Sequence, residues 1–229
     1  MIHFNELSIG YSEFDSVQVK FDQLSTGLIF LVGGNGSGKS TFLKTIFGEI
    51  KPINGNIKVD QMSVSDAKSI QRAQKIAFLS TSTTQVDYLT VRKYIELGST
   101  PYLNTFGKPN TIEQNNSTFD QQFNLEKFYH KFLNELSDGE KQLVSISKVL
   151  TQNTAVYLLD EPTSFLDPKN KRALFNFLRD YAQNFNKTII ISTHDIEVAL
   201  PYADGILYIN NKSMSFENNM DLKSILDIY

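Results

Sequence analysis

A glycine-rich segment near the start of the chain has the residue types that hold a polyphosphate. Residues 33–40 match the pattern G-x-x-x-x-G-K-[ST] at every defined position, between an apolar run and a helical pattern. Glycine lets backbone N–H groups turn toward phosphate oxygens, and the helix start adds its positive dipole end. Lys39 can reach the β- and γ-phosphates, and the Ser40 hydroxyl is a ligand for Mg²⁺. We therefore predict nucleotide binding by Gly33, Gly34, Asn35, Gly36, Ser37, Gly38, Lys39, Ser40 and Thr41.

Two adjacent carboxylates, Asp160 and Glu161, follow the apolar run Ala155–Leu159. A carboxylate at the C-terminal end of a strand, beside a phosphate-binding loop, is placed to hold Mg²⁺ directly or through water. We assign that role to Asp160, and we expect Glu161 to face the γ-phosphate side and polarise an attacking water. The competing interpretation is a pair of solvated acids at the start of a loop. The preceding strand and the following Pro162-Thr163 disfavour it.

Parallel strands with crossover helices are needed to bring these groups together. Short apolar, β-branched runs are typical of strands buried on both faces of a sheet, and helical patterns follow several of them. The strand runs are Leu28–Val32, Ile76–Leu79, Val156–Leu159, Thr188–Ile191 and Ile206–Ile209, and the helical runs are Ser40–Phe47, Asn170–Phe185 and Asp195–Leu200. This alternation favours an α/β domain. Antiparallel strands with polar alternation are predicted for Ile2–Ile9, Val17–Phe21 and Asn56–Val59.

The middle of the chain predicts a helical insertion. Its segments with helical spacing are Val91–Leu97, Leu125–Leu133 and Lys141–Leu150. The predicted fold class is α/β: a P-loop NTPase core with a parallel sheet, an antiparallel β-layer and an inserted helical subdomain. We expect one domain over residues 1–229, in which 1–81 and 151–229 form the core with its β-layer and about 82–150 form the helical subdomain.

Composition excludes several other classes of protein. The 229 residues carry 22 Lys+Arg and 25 Asp+Glu, and a net charge of −3 argues against a dedicated nucleic-acid binder. The chain has no cysteine, which excludes disulfide frameworks and thiolate metal sites. No apolar run approaches the roughly 18 residues of a membrane span, and the first residues do not have the pattern of a secretory signal. These observations predict a soluble intracellular domain.

The segment Leu136–Gln142 distinguishes among the many proteins that have a P-loop and an acidic strand. Locally, Ser137 and Glu140 form a capping box, which by itself predicts only a well-capped helix. In this position, however, the segment resembles the signature loop (commonly LSGGQ) of ATP-binding cassette ATPases. Together with Asp160–Asp167 and Ser192–Asp195, the resemblance covers essentially the whole chain.

The resemblance implies a head-to-tail homodimer that binds ATP and Mg²⁺. ATP on the Gly33–Thr41 loop of one copy would be covered by the Ser137–Glu140 loop of the other. By the same resemblance, His194 is the switch histidine that contacts the γ-phosphate, Asp167 communicates across the interface, and Tyr11 stacks on adenine. The implied catalytic residues are Glu161, His194 and Lys39; the implied further nucleotide contacts are Tyr11, Ser137, Gly139, Glu140 and Asp167; and the implied metal-site residues are Ser40, Asp160 and Gln85.

The chain departs from the family pattern at several positions. Asp138 stands where glycine is usual and Glu140 where glutamine is common, so both add negative charge near a triphosphate. Gly34 replaces the usual proline. The glutamine expected soon after the Ile76–Leu79 run is displaced, which leaves two candidates for that metal-sensing residue. They are Gln85 and Thr81.

The segment Leu89–Tyr102 resembles the corresponding segment in ATPases of iron-complex, haem and cobalamin importers, although Ser99 replaces the common arginine. A generic amphipathic helix is the alternative interpretation. The resemblance implies an importer subunit on the cytoplasmic face of the cell membrane, bound to integral permease subunits and only indirectly to a substrate-binding protein. An ATPase of an exporter or of iron–sulfur cluster assembly stays open as the alternative.

Overall fold

The computed structural model describes residues 1–81, 88–103 and 117–218, and these include the strands of one mixed sheet. The five strands predicted from short apolar runs are present. Ile76–Leu79 has the predicted bounds, and the other four are longer by one residue at one or both ends. The strands are β1 Ile2–Ile9, β2 Val17–Val19, β3 Gln23–Leu24, β4 Gly27–Val32, β5 Asn54–Val59, β6 Met62–Ser63, β7 Ile76–Leu79, β8 Val156–Asp160, β9 Thr188–Ser192, β10 Gly205–Asn210 and β11 Ser213–Glu217.

The sheet has the order β6-β5-β1-β2-β11-β10-β4-β9-β8-β7, and β3 pairs with β1. Strands β10, β4, β9, β8 and β7 are parallel neighbours, whereas β1, β5 and β6 pair antiparallel. The predicted α/β class is therefore confirmed. Its antiparallel β-layer is hydrogen-bonded to the parallel core through the pairing of β11 with β2, so the two parts form one continuous sheet.

Alternation of side chains along β4 explains how this sheet acquires two apolar faces. Leu28, Phe30 and Val32 belong to one buried cluster, and the intervening Ile29 and Leu31 belong to another. Successive side chains on a strand point to opposite faces, so a strand covered on both sides needs apolar residues at every position. All six residues of β4 are buried, in agreement with the continuous apolar run.

The helices that the structure describes are α1 Lys39–Phe47, α2 Ser69–Ala73, α3 Val91–Glu96, α4 Ser117–Gln122, α5 Asp138–Thr151, α6 Pro168–Asn184 and α7 Ile196–Ala199. Of these, α1, α3, α5, α6 and α7 fall on helical runs that the sequence predicts, and α2 and α4 do not. Helix α1 packs in the cluster with β1 and β5, whereas α5 and α6 pack in the cluster on the other face of the sheet. Among the helices that the structure describes, none has both the length and the low polarity needed to cross a membrane.

The prediction of a helix over Leu125–Leu133 is wrong. The structure has a 3₁₀ turn at Leu125–Phe128 and another at Leu133–Glu135, separated by a turn. Leu125, Phe128 and Leu133 are nevertheless buried, so their apolar spacing reflects packing against the core rather than a continuous helix. The other described elements of residues 88–150 are α3, α4, α5, a 3₁₀ turn at Leu97–Tyr102 and isolated bridge pairing. The assignment of 82–150 to a separate subdomain stays a prediction.

Candidate nucleotide-binding and hydrolysis site

The glycine-rich segment forms the turn between β4 and α1. Gly38 occupies the N-cap of α1 with φ 111°, a backbone conformation that residues with a side chain rarely adopt. The ammonium of Lys39 folds back over the turn, where Nζ donates to the carbonyl oxygens of Gly33 at 2.7 Å and Gly34 at 3.1 Å. Burial lowers the pKa of Lys39, and the nearby Glu161 and Asp160 carboxylates oppose that shift. The loop thus holds one lysine at the N-terminus of a helix, where anions bind.

The carboxyl end of β8 brings the two predicted carboxylates beside this loop. Asp160 is buried, and its Oδ1 accepts a hydrogen bond of 2.5 Å from Ser192 Oγ at the end of β9. Glu161 has φ 50°, in the left-handed region. Its backbone N–H donates to the carbonyl and the hydroxyl oxygen of Ser192, at 3.1 and 3.0 Å. This backbone turn after the strand gives the two adjacent carboxylates different directions, and strain of this kind is common at functional sites.

His194 lies next to Glu161. Its Nε2 is 3.0 Å from Glu161 Oε1, within ion-pair distance, but the two groups are not aligned as a hydrogen bond. Burial raises the pKa of Glu161, and His194 and Lys39 oppose that shift. A carboxylate with a raised pKa is a better proton acceptor than an exposed one. The histidine side chain is half exposed, so its ring is accessible from the cleft.

A cleft of about 580 Å³ joins these groups, a volume suited to a nucleotide-sized ligand. Its lining contains the loop, both carboxylates and the histidine. It also contains Tyr11, which is 79% exposed, together with Ser12, Asp15 and Val17. The lining residues with predicted roles are Tyr11, Asn35, Gly36, Ser37, Gly38, Lys39, Ser40, Thr41, Thr81, Asp160, Glu161 and His194.

The oxygen atoms in this cleft suit a Mg²⁺ ion. Ser40 and Asp160 both line it, and hydroxyl and carboxylate oxygens are the ligands that Mg²⁺ takes in phosphate sites. The residues that the structure describes include no group of three or more His, Cys, Asp or Glu side chains placed to hold a metal. Because Mg²⁺ is usually held by one or two protein oxygens together with phosphate oxygens and waters, Ser40 and Asp160 fit a cation that is bound with the nucleotide. Gln85, the other predicted metal-site residue, lies outside the described residues.

The remaining predicted residues lie elsewhere in the chain. Ser137 is the N-cap of α5, and Glu140 completes the predicted capping box by accepting from the backbone N–H and the hydroxyl of Ser137, each at 2.8 Å. The backbone N–H of Ser137 holds the pKa of Glu140 below its usual range. Asp167 is the N-cap of α6 and accepts from Asn170 at 2.8 Å. The lining of the cleft does not include these residues, so a single copy does not bring them to its own nucleotide site.

The two departures at the start of α5 have local partners. Asp138 lies 3.5 Å from Lys141, and the carboxylate of Glu140 is held by Ser137. The charge of Asp138 is therefore partly compensated within the helix start, and the carboxylate of Glu140 is stabilised there by two hydrogen bonds. Close packing explains the glycine at position 139, because a Cβ there would lie 2.9 Å from the backbone oxygen of Phe165. This close approach joins the start of α5 to the loop between β8 and α6.

Two residues without a predicted role, Ser192 and Asp195, also support the site. Ser192 binds the carboxylate of Asp160 and the backbone of Glu161. The Asp195 carboxylate accepts a hydrogen bond from Thr163 Oγ1 at 2.8 Å. Each of its two oxygens also lies 2.7 Å from Lys171 Nζ, which donates to both. Ser192 and Asp195 belong to the same motif as His194, Ser192–Asp195, but the residue order of one chain does not show which neighbour each side chain contacts.

This arrangement defines a class of protein. A mixed sheet places a phosphate-binding turn, a strand ending in two carboxylates and a histidine around one nucleotide-sized cleft, as in P-loop ATPases. A profile of the ABC transporter family matches residues 16–164. The chain therefore belongs to the ABC transporter family and is an ATPase that binds and hydrolyses ATP.

Relatives and solved structures extend the match over nearly the full chain. The petrobactin import ATP-binding protein FpuC of Bacillus anthracis is 32% identical over 95% of this chain and 80% of its own length. The achromobactin transport ATP-binding protein CbrD of Dickeya dadantii is 31% identical over 91% of this chain and 78% of its own. A solved transporter described as of the metal-chelate type, in an inward-facing conformation, has a TM-score of 0.79 at 26% identity, covering 99% of this chain and 88% of its own. Cassettes of this family form dimers and sit in complexes with permease subunits.

Proposed function

We propose that the chain is the ATP-hydrolysing subunit of an importer for an iron–siderophore complex, haem or cobalamin, which it powers through a separate membrane permease. The observation that carries the ATPase part is the cleft that joins Lys39, Asp160, Glu161 and His194. The importer part is supported by the relatives named for petrobactin and achromobactin and by the metal-chelate type transporter. The segment Leu89–Tyr102 supports the same branch.

In this proposal the phosphate loop, Glu161, His194 and Tyr11 have different roles in binding and hydrolysing ATP. The loop N–H groups and Lys39 hold the β- and γ-phosphates, because they concentrate positive charge at the start of α1. Glu161 orients a water and accepts its proton, for which its raised pKa suits it. His194 donates a hydrogen bond to the γ-phosphate oxygens and stabilises the negative charge that develops there in the transition state. Tyr11, which also lines the cleft, stacks on the base.

Ser40 and Asp160 are the residues that would hold Mg²⁺. When bound, the ion neutralises part of the charge on the β- and γ-phosphates. Ser192 orients Asp160 for this role, since the Ser192 hydroxyl at the end of β9 donates a hydrogen bond to Asp160 Oδ1. Gln85 and Thr81 are both candidates for the metal-sensing residue. Thr81 lines the cleft, and Gln85 lies outside the described residues.

A second copy would complete the site. The start of α5 presents Ser137 and Gly139 outside the cleft of its own chain, as it must if it covers the nucleotide of a partner. Asp167 caps α6 beside that surface and is placed to report on closure. ATP binding would then close the homodimer, and hydrolysis would reopen it and drive the permease at the cytoplasmic face of the membrane.

Reconstitution into proteoliposomes tests the importer proposal. The chain is expressed together with the permease that co-purifies with it from membranes, and the complex is placed in vesicles. ATP is supplied on the face of the vesicle membrane to which the chain is bound, and uptake of a radiolabelled ferric siderophore, haem or cobalamin is measured. We expect ATP-dependent accumulation of one of these compounds, and its loss when Glu161→Gln replaces the wild-type chain. Glu197→Gln, an exposed acid in the first turn of α7, is the matched control and should transport normally.

Two outcomes would contradict the importer proposal. Co-purification with soluble partners and no polytopic membrane protein would favour the iron–sulfur assembly alternative. ATP-dependent movement of substrate in the opposite direction would favour the exporter. Either result would leave the ATPase chemistry of the cleft intact, because that chemistry does not depend on the permease.

A further inference from the structure

We propose that Lys171 is a positioning residue for ATP hydrolysis, which acts through Asp195 to hold His194 against Glu161. This inference rests on the role proposed above for His194. Lys171 lies near the N-terminus of α6 and is not part of the cleft lining. It would set the geometry of the reacting groups without touching the nucleotide.

The contacts of Asp195 carry the proposal. Lys171 Nζ lies 2.7 Å from both oxygens of the Asp195 carboxylate, and Thr163 Oγ1 donates to Oδ2 at 2.8 Å. The side chains of Lys171 and Asp195 are 23% and 30% exposed, so the pair is partly shielded from water. Charge-assisted bonds of this length are stronger than neutral ones, and they hold the carboxylate from two different segments of the chain.

These contacts close a ring around the catalytic groups. Glu161 and Thr163 lie in the loop that follows β8, Thr163 binds Asp195, Asp195 is the residue after His194, and His194 Nε2 lies 3.0 Å from Glu161. Because neighbouring Cα atoms are only about 3.8 Å apart, anchoring Asp195 restricts where the histidine can lie. Asp195 also begins α7, since its carbonyl accepts from Val198 and Ala199.

The position of Lys171 is not explained by helix stability. A positive charge near the N-terminus of a helix opposes the helix dipole. Lys169, two residues earlier, is exposed, whereas Lys171 turns toward Asp195. The ion pair with Asp195 therefore accounts for the lysine at this position, and it connects α6 to the segment that bears His194.

Steady-state ATPase kinetics of Lys171→Met test the proposal, with Lys169→Met as the matched control in the same helix. We expect kcat to fall about 10-fold, because small displacements of a reacting group cost rate factors of this order or larger, while KM for ATP stays unchanged. Lys171→Arg, which can still bind both oxygens, should recover most of kcat. Thr163→Val removes the other anchor of Asp195 and should lower kcat in the same way, so the test does not depend on one variant folding.

A double-mutant cycle with His194→Ala separates positioning from a general structural role. If Lys171 acts through the histidine, Lys171→Met should lower kcat little further in the His194→Ala background. An equal loss in both backgrounds, an unchanged kcat in Lys171→Met, or a matching rise in KM would overturn the positioning role. If His194→Ala alone keeps the wild-type kcat, the role of His194 in the proposed function fails instead, so the two failures are distinguishable.

Discussion

Replacement of Glu161 by glutamine is expected to lower kcat for ATP hydrolysis by about 10²- to 10⁴-fold, because a positioned general base contributes a rate factor of that size. Glutamine keeps the shape of the side chain but cannot accept the proton of the attacking water. Binding of ATP should persist, since Lys39 and the loop that hold the phosphates are unchanged. The measurement is phosphate release under saturating ATP and Mg²⁺, with Glu197→Gln as the control acid.

The same variant should accumulate as an ATP-bound dimer. Hydrolysis is the step that reopens the proposed dimer, so slow hydrolysis leaves the closed state populated. Light scattering after gel filtration with ATP and Mg²⁺ should give twice the mass of the 26.0 kDa chain. Hydrolysis at the wild-type rate would contradict the role of Glu161. Slow hydrolysis by a chain that remains monomeric would contradict closure by a second copy and would leave the catalytic role in place.

Replacement of Lys39 by methionine is expected to weaken ATP binding by about 10- to 150-fold, because a charge-assisted hydrogen bond contributes about 1.5–3 kcal/mol. Methionine fills a similar volume and removes only the ammonium. Hydrolysis should fall as well, since the charge that develops on the transferred phosphate loses the same group. The measurement is calorimetric titration of the variant with ATP and Mg²⁺.

The matched control for this variant is Lys44→Met. Lys44 lies in the same helix, where it is 3.3 Å from Glu49 and does not line the cleft. The Lys44→Met variant should bind ATP with the affinity of the wild type. Equal affinity of Lys39→Met and wild type would contradict the assignment of the loop, and a loss of affinity in Lys44→Met would show that the effect is not specific to the ammonium of Lys39.

Much of the fold could be predicted from the sequence because its central strands are buried on both faces. Such strands are continuous apolar runs, as in β4 and β8, and their ends are marked by glycine or by carboxylates. The two 3₁₀ turns at Leu125–Phe128 and Leu133–Glu135, for which the sequence predicts one continuous helix, were not predictable in the same way. Apolar residues that pack from successive 3₁₀ turns have nearly the spacing of an α-helix, so periodicity alone does not separate the two.

The candidate site was predictable to the extent that its residues occur in local motifs. Asp160 ends β8 and Glu161 follows it directly, while Lys39 begins the helix after the turn that follows β4, so their side chains meet at one edge of the sheet. The contacts of Asp195 were not predictable, because Lys171 and Thr163 reach it from other segments of the chain. Long-range pairs of this kind have no spacing rule in one sequence.

The most direct test is a crystal structure of the Glu161→Gln variant grown with ATP and Mg²⁺. We expect the triphosphate to lie on residues 33–41, with Lys39 and His194 at the γ-phosphate and Mg²⁺ at Ser40 and Asp160. We also expect Ser137 of a second copy to cover the same nucleotide. A triphosphate bound away from this loop, or a nucleotide bound here with no contact from the α5 start of a second copy, would contradict this expectation.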